Sequence, residues 1–465
     1  MNINIGYIES ESSYHDGVVI EIFKNMMGLP VDLITQNEKG ERPIEITFKD
    51  TNSQKELELF SDNKKVYTFD RMKYQLILSA LSGLYANPNF TEQVIAFPII
   101  TSFIFEFMQQ IKKTYREQEL PLVQKWFWPD RKEYAICITH DIDSLVRQDL
   151  TSIRKRLKRT IFLKFLILRI LDFIFNTNLS PNFADNVNLI LELERKLKLP
   201  STFFIFSNSS YYDIDRTKFE KIVQDLEKES EVGLHGSTFS YDHFHILNRE
   251  RNELRSTIDK LDGIRQHFLN FSPLTWIFQS KIGFKYDSSI SYNDRLGFRS
   301  GLCHPYIPID PLRMCSIDIL EIPLSFMDAT LWHFISADSK QAFLLFNKTR
   351  ELCRRYNGVL VLDLHNIYYN PFLHPDPSFF LQKLYRHISK LNNAWKATLS
   401  EIYEWWMRRR NINLNVCLKK KLIIELKTET PTNNLNLFIY NKEKNIVEVN
   451  NRKRIQLSVS DNGFH

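Results

Sequence analysis

The residues best placed to do chemistry stand in Tyr134–Ser144, YAICITHDIDS. Ala135, Ile136, Cys137 and Ile138 form an apolar, partly β-branched run, as expected of a strand covered on both faces. Asp141 and Asp143 follow at a spacing of two, so they point to the same side if the strand continues through them. Two carboxylates side by side at the end of a buried strand repel each other and resist desolvation. A fold tolerates them when a cation sits between them or when one of them holds a proton. Both situations suit hydrolysis. A polar strand end running into a solvated loop is the plainer reading of an isolated Asp-x-Asp.

The elements around this stretch must bring partners to it. Ser230–His235 is a strand candidate ending in His235. A short strand at Asp262–His267 carries Arg265 and ends in His267, and Gly358–His365, GVLVLDLH, ends in His365. Leu199–Ser207 and Ile317–Leu324 are further strand candidates. Between these runs the apolar spacing predicts helices at 216–228, 250–261, 271–284, 340–356, 377–391 and 398–410. Alternating β and α over residues 133–410 implies parallel strands with helical crossovers, hence a barrel or a doubly wound sheet. A βα-barrel gathers its chemistry at the C-terminal strand ends. That is where Asp141, Asp143, His235, Arg265, His267 and His365 all fall. A lone histidine would read as a satisfied core or surface residue; the co-location of an acid pair, three histidines and an arginine reads as a site.

The ordered segments ITHDID (138–143), STFFIF (201–206), EVGLHGS (231–237), GIRQHFLNF (263–271) and GFKYDSSI (283–290) resemble the polysaccharide deacetylases of the NodB-homology type, carbohydrate esterase family 4. GFRSGLCHPYIPID (297–310), LEIPLSFMDATL (320–331) and VLDLHN (361–366) extend the likeness, which runs from about residue 121 to 395. It is closest to a branch with THDVD where the family usually has TFDDG. The resemblance implies an α/β fold, a distorted (β/α) barrel, and a metal-dependent hydrolysis that frees acetate from an N-acetylated amino sugar. It implies Asp141 as general base, Arg265 as the residue orienting it, and His365 as the acid that protonates the leaving amine. Asp143 and His235 would hold a divalent metal, Zn²⁺ by the family pattern. The family's His-x-x-x-His is broken here, because Phe239 stands four residues after His235. His267, on the same strand face as Arg265, is the first substitute for the third ligand, and His243 and His245 are the second. Gly236 and Ser237 would offer a turn and a hydroxyl to a water.

The same residues leave room for a hydrolase of another cyclic or linear C–N amide bond with an altered or absent metal site. They also leave room for an inactive glycan-binding homologue, although a binding module needs no base, orienter and acid together. His304 is expected to line the substrate cleft, Glu321 to pair with an arginine, Tyr286 and Asp287 to support the barrel, and Trp276 to sit in the core. The substrate would be an N-acetylated sugar in a glycan, lipid-linked or nucleotide-sugar intermediate.

The remaining chain frames this region. Residues 1–130 read as an N-terminal α/β domain of unassigned role, with strand candidates IEITFKD and LELFSD and helices at 70–86 and 91–112. The barrel occupies 131–410, and 411–465 reads as a small β-rich segment, sandwich-like or built of edge hairpins. At 465 residues, 43% hydrophobic and 25% charged, the chain has the make-up of a globular protein of roughly two to three domains. A net charge of +6 without any nucleic-acid motif argues against a nucleic-acid partner. Five scattered cysteines with no CxxC fit a thiol-reducing compartment. No basic, apolar leader opens the sequence, which predicts a cytoplasmic protein without a signal peptide. Ile161–Phe175 is apolar but broken by Lys164, Arg169 and Asp172, and it is shorter than the ~20 residues that span a bilayer. It is expected as a helix packed on protein, or as one lying in a membrane interface and giving a peripheral contact.

Overall fold

The computed structural model describes the chain apart from residues 9–12, 35–37, 39–41, 52–53, 89, 92–94, 146–158, 176–182, 370–373, 441–443, 461–462 and 465. Its central element is strand β1, Tyr134–Ile142, in which all nine residues are buried. That matches the apolar run in its sequence and the need of a parallel strand to be covered on both faces. Around it lie β2 (Ser201–Ile205), β3 (Glu231–Gly236), β4 (Gly263–Gln266), β5 (Tyr286–Asp287), β6 (Leu320–Glu321), β7 (Phe326–Met327) and β8 (Val359–Asp363). The hydrogen-bonded order is β6-β5-β4-β3-β2-β1-β8-β7, and β9 (Ala394–Lys396) pairs with the start of β1. Every pairing is parallel.

This order separates the two architectures that alternation allowed. The two edge strands, β6 and β7, are consecutive in the chain and joined by residues 322–325 alone. Five Cα steps reach ~17 Å at most, so the sheet must curl until its edges nearly meet. The result is a distorted barrel, with all strand C-termini at one mouth. The long strand expected at 317–324 is reduced to β6, because Pro323 offers no N–H to a ladder.

Several of the helices begin where side chains cap them. Asp215 accepts hydrogen bonds from Thr217 and Lys218 ahead of Arg216–Glu229, and Thr398 with Glu401 makes a capping box ahead of Leu399–Arg410. The helix expected at 250–261 lies earlier, at Phe244–Arg255. Beyond it, Ile258 and Leu261 turn into the core. Helix α1, Arg159–Phe175, follows β1 in the order of described elements. Among the described residues no helix is long and apolar enough to cross a membrane.

The flanking segments pair with the barrel region and with each other. The N-terminal sheet runs Val31–Ile34, Ile5–Ile8, Ile44–Thr51, Gln54–Ser61, Lys64–Phe69. The helix expected from residue 91 starts only at Ile99, after Pro98. Before it, Ile95–Ala96 pairs in parallel with Leu296–Gly297. Gly297 has φ +106°, and a Cβ there would lie 2.3 Å from the Ala96 carbonyl oxygen, so only glycine permits this contact. At the C-terminal side, Asn413–Leu418, Lys421–Lys427 and Arg454–Ser460 form an antiparallel sheet. Asn436–Tyr440 pairs both with Lys444–Glu448 and with Leu122–Lys125, far upstream.

Candidate active site

At the mouth of the barrel is a cleft of about 380 Å³, lined in part by Asp141, Asp143, His235, His267 and His365. Arg265, the sixth residue expected there, lies directly behind it and is fully buried.

Asp141, the last residue but one of β1, lies beside Arg265 on β4. The Arg265 Nη1 donates to Asp141 Oδ1 at 2.9 Å and to Thr139 Oγ1 at 2.7 Å, and its Nε donates to the Ser288 carbonyl at 3.0 Å. The guanidinium also lies over the Phe204 ring, 4.5 Å from its centroid. A planar cation held on three sides fixes one carboxylate oxygen and leaves the other, Oδ2, facing His235 at 3.8 Å. Burial disfavours the Asp141 charge, but Arg265 and then His235 outweigh it and hold the carboxyl below its usual range.

Asp143 lies just beyond the end of β1, surrounded by imidazoles. Its Oδ1 is 3.4 Å from His235 Nε2 and 3.8 Å from His267 Nε2, and its Oδ2 is 3.7 Å from His365 Nε2. Oδ1 is buried and makes no hydrogen bond. Burial works against this charge too, yet His235 and His365 hold the pKa down to about 2. The His235 Nδ1 faces the Arg265 carbonyl at 3.1 Å. A carbonyl can only accept, so Nδ1 carries the hydrogen and Nε2 is turned to the cleft. His267 reaches the same place from the turn after β4; burial and the neighbouring His235 push its pKa down to about 4, which leaves it neutral at ordinary pH. Asp143, His235 and His267 each offer one ligand atom, all within 4.8 Å of one another. Two imidazoles and a carboxylate with an orphaned buried oxygen are a donor set that fits Zn²⁺.

His365 closes the opposite wall. Its Nδ1 meets Asp328 Oδ1 at 2.6 Å and its backbone N–H donates to Asp328 Oδ2 at 2.8 Å. Burial opposes the imidazolium, but Asp363 and Asp328 raise its pKa well above the ordinary value. Asp363 itself accepts from the Asp141 N–H at 3.2 Å and stands 3.5 Å from Arg265 Nη1. Burial, then repulsion from Asp141, pushes its pKa up to about 7. Asp141, Asp363 and His365 form a second group of closely spaced donor atoms.

Asp363 and Asp328 were not among the expected site residues. Asp363 had a signal: Asp363 and His365 are two apart at the end of β8, the same parity as Asp141 and Asp143 on β1. Asp328 follows the two-residue strand β7 and had none. Other expectations are corrected. Phe239 is exposed, and His243 and His245 are exposed at the start of the Phe244–Arg255 helix and belong to no group of closely spaced donor atoms among the described residues. His304 does not line the cleft; it is buried among Phe105, Phe127 and Trp406. Among the described residues Glu321 makes no ion pair with an arginine: its Oε2 accepts from Trp276 Nε1 at 2.9 Å and its Oε1 from the Ile290 N–H at 3.2 Å. Tyr286 does brace the barrel, donating to Glu231 at 2.6 Å, and Trp276 is core.

No protein-family model and no curated protein matches the chain. Solved structures similar to it include polysaccharide deacetylases. A protein assigned as one from Mycobacterium smegmatis is 17% identical, covers 62% of this chain and 94% of its own, and has a TM-score of 0.42. One assigned so from Pseudomonas aeruginosa PAO1 is 13% identical over 60% of this chain and 93% of its own, with a TM-score of 0.41. An allantoinase is 12% identical over 60% and 92%, with a TM-score of 0.42. At these scores the likeness says nothing about chemistry, and the barrel rests on its own strand pairing.

Proposed function

We propose that the chain is a metal-dependent amide hydrolase that removes the acetyl group from an N-acetylated amino sugar. The observation that carries this reading is one cleft with three separate functions on its walls: a donor cluster at Asp143, His235 and His267, a cation-oriented carboxylate at Asp141, and an acid-supported imidazole at His365. When bound by that cluster, a divalent ion, Zn²⁺ by the donor chemistry, would supply a Lewis acid and a water of lowered pKa. Asp141 holds Oδ2 free to accept a proton while Arg265 fixes its orientation. His365, kept charged by Asp328 and Asp363, holds a proton at Nε2 toward the cleft for the departing amine. Asp328 orients the ring by engaging Nδ1. Met327, Ala329, Ile367 and Tyr368 line the same space and limit water around the reacting groups.

The test is metal analysis of the purified protein together with acetate release from a panel of N-acetylated sugars, nucleotide-sugars and cyclic amides. Stoichiometric zinc and acetate from a sugar support the reading. Turnover of a cyclic amide with no acetate release would replace it.

A further inference from the structure

Helix α1 carries an apolar face that the described residues do not cover. Leu163, Ile167, Ile170 and Ile174 stand three and four residues apart, hence on one face, and each is between 49% and 62% exposed. Phe173 at its end is 90% exposed. Isolated surface leucines need no explanation, but a continuous stripe along a helix does. The charge of this stretch is as uneven as its polarity. Residues 151–175 hold Arg154, Lys155, Arg156, Lys158, Arg159, Lys164 and Arg169 against Asp172 alone, a net +6. The whole chain carries +6, so the rest of it balances to zero. An apolar face that lies, in sequence, within a stretch carrying the chain's entire excess of positive charge complements a surface that is apolar beneath and anionic above, which is a lipid bilayer. The described helix of 17 residues is not long and apolar enough to cross that bilayer but can lie in its interface.

In the order of described elements α1 comes directly after β1, whose C-terminal end carries Asp141 at the barrel mouth. The barrel mouth itself bears exposed aromatic rings. Phe239 after β3, Phe268 after β4 and Phe334 after β7 are each between 59% and 64% exposed, and the last two line the cleft.

Resting on the hydrolase reading above, we infer that α1 lies in the surface of an anionic membrane with the barrel mouth turned toward it, so that the N-acetylated sugar is presented on a lipid carrier. The substrate class is then an amino sugar joined to a membrane lipid. The reaction that supplies it must be transfer of an N-acetylated sugar to that lipid.

Flotation of the full chain with vesicles tests the membrane contact without reference to activity. Vesicles of phosphatidylcholine with phosphatidylglycerol should carry the protein, and phosphatidylcholine alone should carry much less. Lys164→Gln should weaken binding roughly fivefold, as expected for one cation near an anionic surface. Ile167→Ser and Ile170→Ser should each weaken it on the order of tenfold or more. None of these residues touches the cleft, so circular dichroism and metal content should stay as in the parent protein. Failure to bind either vesicle, or a dimer in solution that the serine variants dissolve, overturns the membrane assignment. The substrate class is tested by acetate release from one N-acetylated sugar offered free and lipid-linked in the same vesicles. Preference for the lipid-linked form that the serine variants lose supports the inference. Equal rates on both forms overturn it and leave the hydrolase reading standing, and no acetate from either sinks that reading while vesicle binding stands by itself.

Discussion

Asp141, Asp143 and Asp363 stand at the ends of β1 and β8; Asp287 and Glu321 face each other on β5 and β6, at the far end of the sheet. Both groups are acids brought together by parallel strands and buried except for the half-buried Asp143, but their surroundings differ. Arg265, His235, His267 and His365 surround the first group, and Asp141 and Asp143 are held ionised. The second has tryptophan, glutamine, serine and backbone N–H donors, and no ion pair to it forms among the described residues. Burial therefore raises both carboxyls, and Asp287 raises Glu321 further. A pair of this kind keeps a proton and bridges its two strands. Position at a strand end does not distinguish a reactive acid from a structural one; the cations on neighbouring strands do.

The strongest way to break this comparison is Asp141→Asn, which keeps shape and removes proton acceptance. Turnover should fall on the order of 10²–10⁴-fold with metal content unchanged. Near-full activity with metal bound would remove Asp141 as the base. Arg265→Met should follow in size, because it leaves Asp141 buried beside Asp363 without a cation. Chemical denaturation should register a loss of about 3–5 kcal/mol. If stability is unchanged, the compensation described for the first group is wrong.

His267→Ala should lower metal affinity at least tenfold or so, since even outer partners of a metal site cost about that much, whereas His243→Ala should leave it alone. Competition with a chelating dye separates the two.

The smallest effect is one of slope. Asp143 is depressed from 3.8 to about 2, so its contribution to stability is present above 3.8 and lost as pH falls toward 2. Asp287 and Glu321 are raised, so the folded protein keeps protons that the unfolded chain releases. Stability is then greatest below the ordinary carboxyl value and declines as pH rises above it. Asp287→Asn removes a titrating group and keeps Oδ1 for Gln279 and Ser289. Denaturation midpoints of the metal-free protein should show that Asp287→Asn flattens only the decline toward high pH, and Asp143→Asn only the decline toward low pH. If both variants flatten the same limb, the two groups are not distinct.

Strand alternation makes the reactive half of this contrast legible in the amino-acid sequence. Apolar runs ending in Asp141, His235, Arg265 and His365 announce both a parallel sheet and its mouth. What alternation cannot carry is a contact made by a short irregular piece. Asp328 follows a strand of two residues, and its bond to His365 depends on β7 pairing with β8. Glu321 is engaged instead by Trp276 and Ile290, which lie in a helix and a turn brought alongside only when the sheet curls. His304 has the residue type of a cleft lining, but Phe105 and Phe127, far upstream, close over it. The helix at 159–175 is legible from its apolar run, although the basic run at 154–158 falls outside the described residues.

The pairing of Leu122–Lys125 with Asn436–Tyr440 has a consequence for synthesis on the ribosome. Lys125 and Leu437 face each other across this pairing and are 312 positions apart in the chain. At roughly 5–20 residues per second, the upstream strand waits on the order of a quarter of a minute to a minute for its partner to be made. Throughout that interval it offers an open edge, Leu-Val-Gln-Lys, to any passing strand. A chain arrested before residue 436 keeps that edge open for good, so its earliest vulnerability lies just ahead of the barrel, in a segment that does no chemistry.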